Sequence, residues 1–314
     1  MNLALQLFRA QNRFLSLLNP KLALNRATKL FFTPIRHDPK QWEEEAELLG
    51  NRIRLENGVS AIVWGQGKPI LMMHGWEGRA TQMAGFIEPL TSNGFQIIAL
   101  DAPAHGRSQG QQSNPGRFVE TLFLAQQVFG PFYAVVGHSM GGGCSLYSAL
   151  EGLQVEKIVS ISGPANFQKL SKQFARFIGM SKSVVEKFVG KVEETVGIPF
   201  EDIDLLSRGK KLQQPTLLVH DSDDKEVPFS DAQDLAKIIP NGRFFPTSGL
   251  GHRKIMRSSV VIETVCNFIL YDNDDYLYNA IYTHTTSKCA FQNDWGASIL
   301  GASMTECRPP SELA

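Results

Sequence analysis

The sequence has no excess of charge of either sign. Its 314 residues include 31 Lys plus Arg and 31 Asp plus Glu, so the formal net charge at pH 7 is +0. Proteins that bind nucleic acid usually carry a basic patch. The charge balance therefore gives no support to a nucleic-acid partner. The apolar share of 43% is typical of a globular chain with a sizeable core.

The sequence also lacks closely spaced cysteine pairs. None of its four cysteines forms a CxxC pattern: Cys144, Cys266, Cys289 and Cys307. A chain with a core of this size needs no disulfide bonds for stability, so we expect a reducing compartment. We therefore place the protein in the cytoplasm.

A long apolar run is a third absence. No segment approaches the roughly 20 apolar residues needed to span a bilayer. Residues 3–18 are apolar, but Arg9 and Arg13 interrupt them and no small-residue cleavage site follows. They therefore lack the pattern of a secretory leader.

The same N-terminal residues have a helical pattern. Leu7, Phe14 and Leu18 fall on one face of a helix. We expect residues 1–50 to form a helical segment that docks on the core. Contact of residues 1–20 with a membrane surface is the alternative, although such helices usually carry a stronger basic face.

Short apolar runs alternate with helix-period stretches between about residues 52 and 270. This alternation predicts an α/β fold, with a mostly parallel central sheet and helices on both faces. Runs such as TLLVH are apolar without alternation, as in strands buried on both sides. The predicted strands are 61–64, 70–74, 96–101, 133–137, 157–162, 216–220 and 243–246; the predicted helices are 80–93, 118–129, 142–151, 230–239 and 254–270.

Residues 164–208 break this alternation because they contain no strand pattern. They predict two or three helices between two strands, a small helical cap over the sheet edge where open α/β folds bind ligands. The α/β core is then formed by residues 51–163 and 209–270. Residues 271–314 have no clear hydrophobic periodicity, so we expect them to be a poorly ordered tail. The cap has two apolar stripes, one of Phe174, Phe177 and Ile178 and one of Val185, Phe188, Val189 and Val192.

The strongest chemical signal is the pentapeptide Gly137-His138-Ser139-Met140-Gly141. It follows the apolar strand FYAVVG and precedes a helix-forming stretch, which is the context of a G-x-S-x-G nucleophile elbow. Glycines relieve crowding at this strained turn, and the helix that follows points free N–H groups at developing negative charge. We therefore predict that Ser139 is a nucleophile.

A serine hydroxyl needs a base to take its proton. Of the seven histidines, His252 lies after the last predicted strand in the flexible loop SGLGH, so we predict that it is the general base. His138 is expected to point away from the site. We predict that the acid that orients the base follows strand TLLVH. Asp224 is the preferred candidate, and Asp221 and Asp223 are the alternatives.

An oxyanion hole needs two backbone donors. The N–H of Met140, next to the nucleophile, is one candidate, and the N–H of Trp76 after strand ILMMH is the other. The Trp76 indole is then free to line the pocket or to pack as a structural side chain. We expect no cofactor and no metal.

These elements together resemble the α/β-hydrolase superfamily. The matching segments are HGW after one strand, DAPAHGRS after the next, the GHSMG elbow, the acid loop HDSDDKEVP and the closing GLGH, over about residues 50–270. The order Ser139, Asp224, His252 is that of the superfamily. The resemblance implies the corresponding fold, a cap at 164–208, and an acyl-enzyme on Ser139.

We therefore expect a carboxylic-ester hydrolase for a small-molecule substrate with a small to medium apolar acyl group. A thioesterase, amidase, C–C hydrolase or acyltransferase with the same three residues is the alternative within enzymes. A non-catalytic ligand-binding member of the fold is the alternative outside them. The loop reads HGWEG rather than HGGG, and the nucleophile is Ser rather than Asp. The lipase branch with HGGG is thus not indicated, and the dehalogenase and epoxide-hydrolase branches are disfavoured.

Overall fold

The computed structural model describes residues 3–271, so the predicted tail lies outside the described residues except for Tyr271. Eight strands form one sheet in the order β1-β2-β4-β3-β5-β6-β7-β8. The strand β2 pairs antiparallel with β1 and β4, and all other pairs are parallel. The mostly parallel α/β fold is the predicted one. The strands are β1 Asn51–Arg54, β2 Ser60–Gly65, β3 Lys68–Met73, β4 Phe95–Asp101, β5 Phe132–His138, β6 Val155–Ile161, β7 Thr216–Asp221 and β8 Gly242–Thr247.

Helices cover both faces of the sheet, which is why its strands are apolar on both sides. Leu71 and Met73 of β3 pack in one hydrophobic cluster, and Ile70 and Met72 pack in the other. The helices are α1 Leu3–Leu18, α2 Pro20–Phe32, α3 Gln41–Leu48, α4 Ile87–Thr91, α5 Pro115–Phe129, α6 Met140–Leu150, α7 Phe167–Phe177, α8 Lys182–Val196, α9 Leu205–Arg208, α10 Phe229–Ile238, α11 Gly251–Lys254 and α12 Ser259–Leu270.

Three elements differ from the sequence-based prediction. The predicted helix 80–93 is a 3-10 segment, Ala80–Phe86, followed by the short helix α4. The predicted helix 254–270 is divided into the end of α11, a 3-10 turn, Ile255–Arg257, and α12. The strand β1 was not predicted, because its sequence NRIR is polar and only partly buried at the edge of the sheet. An edge strand of this kind lacks the apolar run that marks the central strands.

The N-terminal helix α1 leaves one apolar face exposed. Leu7, Phe14 and Leu18 are 63%, 64% and 68% exposed, whereas Asn12 and Ser16 are buried. The face that carries these three apolar residues is therefore not the face through which the helix packs. The buried polar groups face unpaired backbone groups of the cap, where they form hydrogen bonds that an apolar side chain would not supply.

The insertion between β6 and β7 contains three helices, α7, α8 and α9. The stripe of Val185, Phe188, Val189 and Val192 is buried, as its spacing predicts. In the other stripe Ile178 is buried but Phe177 is 56% exposed. The N-terminal pair α1–α2 packs against this insertion, so two distant parts of the chain form one helical layer above the sheet edge.

Candidate active site

Ser139 stands at the turn between β5 and α6. The strand ends at His138 and the helix begins at Met140, so Ser139 is the residue between them. Its φ is +53°, an uncommon conformation for a residue with a side chain, and its N–H donates to the carbonyl of Ile161 at 2.8 Å. Strained backbone of this kind is held by its surroundings and clusters at functional sites.

Glycines on both sides of Ser139 leave the space that this turn needs. A Cβ on Gly137 would collide with the backbone of Gly141, and a Cβ on Gly141 would collide with the carbonyl of Met73. A Cβ on Gly75 would come within 2.8 Å of the Ser139 Cβ. Since backbone fills the space in the first two cases, a side chain there would force the turn apart.

The imidazole of His252 lies between the Ser139 hydroxyl and a carboxylate. Its Nε2 is 2.9 Å from Ser139 Oγ, and its Nδ1 is 2.7 Å from Asp224 Oδ2. Nδ1–H donates to the carboxylate, which leaves Nε2 free to accept from the hydroxyl. The fold thus brings together three side chains that the sequence separates by 113 and 28 residues.

The Asp224 carboxylate is buried and accepts four hydrogen bonds or close contacts. Its Oδ1 accepts from the backbone N–H of Glu226 at 2.8 Å and of Val227 at 3.0 Å. Burial raises the pKa of Asp224, but hydrogen bonds from His220 and His252 and the charge of His252 lower it further. The net pKa lies well below its usual range. Asp224 is therefore ionised, as a group that orients an imidazole must be.

The two other candidate acids hold the loop that carries His252. Asp221 is buried, and its Oδ1 accepts from the N–H of Gly251 at 2.9 Å. Asp223 Oδ2 accepts from the N–H of Gly249 at 2.8 Å. Both carboxylates bond to backbone just before the histidine, so they position the loop while the third aspartate meets the ring.

A second imidazole, which is not among the predicted site residues, contacts the same carboxylate. His220 at the end of β7 is fully buried, with Nε2 3.2 Å from Asp224 Oδ2 and 3.2 Å from the carbonyl of Val227. Both partners are acceptors, so Nε2 carries the proton. Nδ1 is buried without a hydrogen-bond partner in the described part of the chain. Only its place four residues before Asp224 marked it in the sequence.

His138 does not point away from the site, and that expectation is wrong. Its ring centroid is 4.9 Å from that of His252, and its Nε2–H donates to the backbone carbonyl of His252 at 2.9 Å. Burial, with the charge that His252 carries when protonated, lowers the pKa of His138 to about 3. His138 is thus a neutral donor that fixes the loop of its neighbour.

The backbone amides of Trp76 and Met140 are the predicted oxyanion donors. Both residues line the same pocket as Ser139. Met140 is the first residue of α6, where helix N–H groups have no partner within the helix. Neither amide donates to a protein acceptor within residues 3–271. The indole of Trp76 both lines the pocket and packs edge-on against His105 at 5.1 Å.

A pocket of about 1220 Å³ lies over Ser139. Part of its apolar wall comes from the insertion, including Phe174 and Ile178, and part from the N-terminal pair, including Phe8 and Phe31. The rings of Phe31 and Phe174 meet at 4.8 Å. The pocket suits an apolar ligand with a few fixed polar contacts. The contribution of the N-terminal helices was not foreseen from the sequence.

Within residues 3–271 no group of three or more His, Cys, Asp or Glu side chains is arranged to hold a metal ion. None of the helices there is both long and apolar enough to cross a membrane.

The family model described as alpha/beta hydrolase fold matches residues 68–205. The AB hydrolase superfamily protein YisY of Bacillus subtilis (strain 168) is 24% identical over 253 residues, covering 65% of this chain and 92% of that protein. A non-heme haloperoxidase of Rhodococcus erythropolis is 25% identical over 238 residues, covering 60% of this chain and 87% of that protein.

Among solved structures, the Pyrococcus furiosus esterase Pf2001 superposes with a TM-score of 0.56 at 18% identity. It covers 76% of this chain and 98% of its own. At this identity the match shows the shared fold alone. The fold recognised in the sequence is thus the fold of the structure.

Proposed function

We propose that this chain, which belongs to the α/β-hydrolase superfamily, is a serine hydrolase that cleaves carboxylic esters of small to medium apolar acyl groups. The observation that carries the proposal is the line of contacts from Ser139 Oγ through His252 to Asp224, at 2.9 Å and 2.7 Å. At the Ser139 end of these contacts lies a largely apolar pocket, where an acyl group would lie.

In the proposed reaction the Ser139 oxygen attacks the ester carbonyl while its proton passes to His252 Nε2. The ionised Asp224 stabilises the imidazolium that results. The negative charge on the former carbonyl oxygen is held by the N–H groups of Trp76 and Met140. Collapse expels the alcohol, which takes the proton from His252 and leaves the acyl group on Ser139.

Water then repeats the sequence against the acyl-enzyme. His252 Nε2 takes a proton from the water, the hydroxide attacks the acyl carbonyl, and the Ser139 oxygen leaves with the proton from the imidazolium. The carboxylic acid is released and the resting state is restored. The same groups would act on a thioester or an amide, so the substrate panel below includes both bonds.

We place this activity in the cytoplasm. Two cysteines in the described chain, Cys144 and Cys266, are free and buried, which suits a reducing compartment.

The test is turnover of p-nitrophenyl esters with acyl chains of two to twelve carbons, beside matched thioesters and anilides. Ser139→Ala is expected to lower turnover by about 10⁶-fold, the order known for loss of a serine nucleophile. Ser162→Ala is the matched control, because Ser162 follows the neighbouring strand β6, also has positive φ, and has no hydrogen-bonded imidazole among the described residues. It should keep near-normal turnover. Equal turnover in Ser139→Ala and the wild type would refute the proposal.

A further inference from the structure

The first helix carries its apolar side chains on the outside. At about 100° per residue its large exposed side chains fall within an arc of about 100° along four turns. The exposed fractions are 69% for Leu3, 63% for Leu7, 64% for Phe14, 67% for Leu17 and 68% for Leu18. Single exposed leucines are ordinary, but a continuous apolar stripe indicates an interaction surface.

The stripe is not needed to hold α1 in place, because the opposite side of the helix does so. Asn12 Nδ2 donates to the carbonyl of Ile178 at 2.9 Å, and the hydroxyl of Ser16 accepts from the N–H of Ser181 at 3.2 Å. These bonds tie α1 to the turn between α7 and α8. The exposed arc therefore has no part in the packing described so far.

The charge around the stripe is of one sign. Residues 3–37 contain no Asp or Glu, although the whole chain is neutral. Their basic residues are Arg9, Arg13, Lys21, Arg26, Lys29 and Arg36. Of these, Arg13 lies on α1 about 40° around the helix from Leu17, and Lys21 lies in the first turn of α2; both are exposed.

The positive charge of residues 3–37 favours one of the partners that could cover the apolar stripe. A second copy would bring two cationic faces together, which opposes association. A nucleic acid is held by its phosphates and gives the leucine and phenylalanine arc no apolar partner. An anionic bilayer offers acyl chains to the arc and negative headgroups to the flanking cations.

We propose that α1 and α2 dock on an anionic lipid surface, with the α1 arc inserted among the headgroups and the adjacent basic residues on the phosphates. The inner side chains of the same pair, Phe8 and Phe31, line the pocket over Ser139. Docking would therefore place one wall of that pocket at the lipid surface. The binding itself does not depend on ester cleavage, so it is separable from the proposed function.

The experiment is flotation of the full chain with two kinds of vesicle, phosphatidylcholine alone and phosphatidylcholine with 30% phosphatidylglycerol. The Ser139→Ala variant is used so that the lipid is not a substrate. We expect binding to the anionic vesicles only, and its loss at 1 M salt, where the screening length falls to about 3 Å. Absence of binding to the anionic vesicles would overturn the proposal.

Two double variants test the surface itself. Leu7→Gln/Phe14→Gln should weaken vesicle binding at least tenfold. Leu48→Gln/Leu49→Gln is the matched control, because these leucines are 85% and 84% exposed but lie at the end of the acidic helix α3. The control should bind as before.

The variants keep Ser139 and the pocket intact when made in the wild-type background, so unchanged ester turnover there shows that they fold. Equal vesicle binding by both double variants would overturn the proposal. So would a dimer that Leu7→Gln/Phe14→Gln dissociates, or vesicle binding that appears only after residues 272–314 are removed. Those outcomes would make a second copy or the C-terminal residues the occupant.

Discussion

At the scale of the residue, the site depends on one carboxylate that serves two imidazoles. Asp224 accepts from His252 and lies 3.2 Å from the protonated nitrogen of His220. Its remaining oxygen is held by two backbone N–H groups. Because each donor favours the ionised form, the carboxylate stays charged in spite of its burial.

The first prediction distinguishes Asp224 from Asp223. Asp224→Asn is expected to lower kcat by about 10⁴-fold, since an amide at this position favours the wrong tautomer of the base. Asp223→Asn should leave kcat within a few-fold, because that residue contacts the loop and not the ring. A larger loss in Asp223→Asn than in Asp224→Asn would show that the acid is misassigned.

The second prediction concerns His220, which contacts Asp224 and does not line the pocket over Ser139. His220→Leu removes a donor from the carboxylate, so Asp224 is held by fewer contacts and His252 is oriented less well. We expect kcat to fall while KM changes little. His220→Gln, which keeps an N–H donor, should restore kcat toward the wild-type value. Equal kcat values for all three proteins would exclude this positioning role.

At the scale of the element, the predictable parts are those whose signal is local. The strands from β3 to β7 are apolar runs that are largely buried, so sequence alone located them, and it placed Ser139 between β5 and a helix. In β8 only the two central residues are buried. The edge strand β1 has no such run. The 3-10 segment Ala80–Phe86 has an apolar period that does not distinguish it from an α-helix.

The packing of α1 and the role of His220 were beyond the sequence for another reason. Amphipathic spacing shows that a helix has two faces, but not which face the fold covers. Here polar Asn12 is buried because it bonds to the cap, 166 residues away. His220 likewise contacts Asp224 only because the turn after β7 brings the two side chains together. Both depend on tertiary contacts that no local pattern encodes.

A prediction at this scale tests the packing of the N-terminal helices α1 and α2 against the helices inserted between β6 and β7. Phe31 of α2 contacts Phe174 at 4.8 Å and Phe188 at 5.4 Å. Phe31→Ala should lower the free energy of unfolding by less than the about 3–5 kcal/mol that emptying a fully buried aromatic site costs, because Phe31 is half-buried. It should also raise KM for a long-chain ester more than for the acetate ester, because Phe31 lines the pocket.

Urea unfolding and KM for p-nitrophenyl octanoate and acetate measure these effects. Val128→Ala on α5 is the control, since Val128 is 55% exposed and lies outside the pocket lining. An unchanged unfolding free energy and unchanged KM values in Phe31→Ala would mean that α2 is not coupled to the pocket.

At the scale of the whole molecule, buried neutral histidines make stability depend on pH. Burial lowers the pKa of His74 to about 4 and, with the charge of His74, lowers that of His105 to about 3; their ordinary value is 6.5. Below about pH 6.5 the unfolded chain therefore binds protons that the folded protein does not. Stability is lost as pH falls from about 6.5 toward these folded values, and it rises with pH across that window.

The resulting prediction is a loss of unfolding free energy between pH 7 and pH 5, by up to about 1.4 kcal/mol per pH unit for each histidine. Urea unfolding at several pH values measures the slope. His105→Gln should make it shallower, because the variant lacks one of the two buried imidazoles whose pKa is lowered. A slope that is the same in His105→Gln and in the wild type would contradict the assignment.

The most direct test of the central claim, that Ser139 is activated by His252 and Asp224, is labelling with a fluorophosphonate followed by peptide mass spectrometry. The account predicts one adduct per chain on the peptide that contains Ser139, formed rapidly in the wild type and at least about 10³-fold more slowly in His252→Ala. An adduct on another serine, or equal labelling of Ser139 in both proteins, would contradict it.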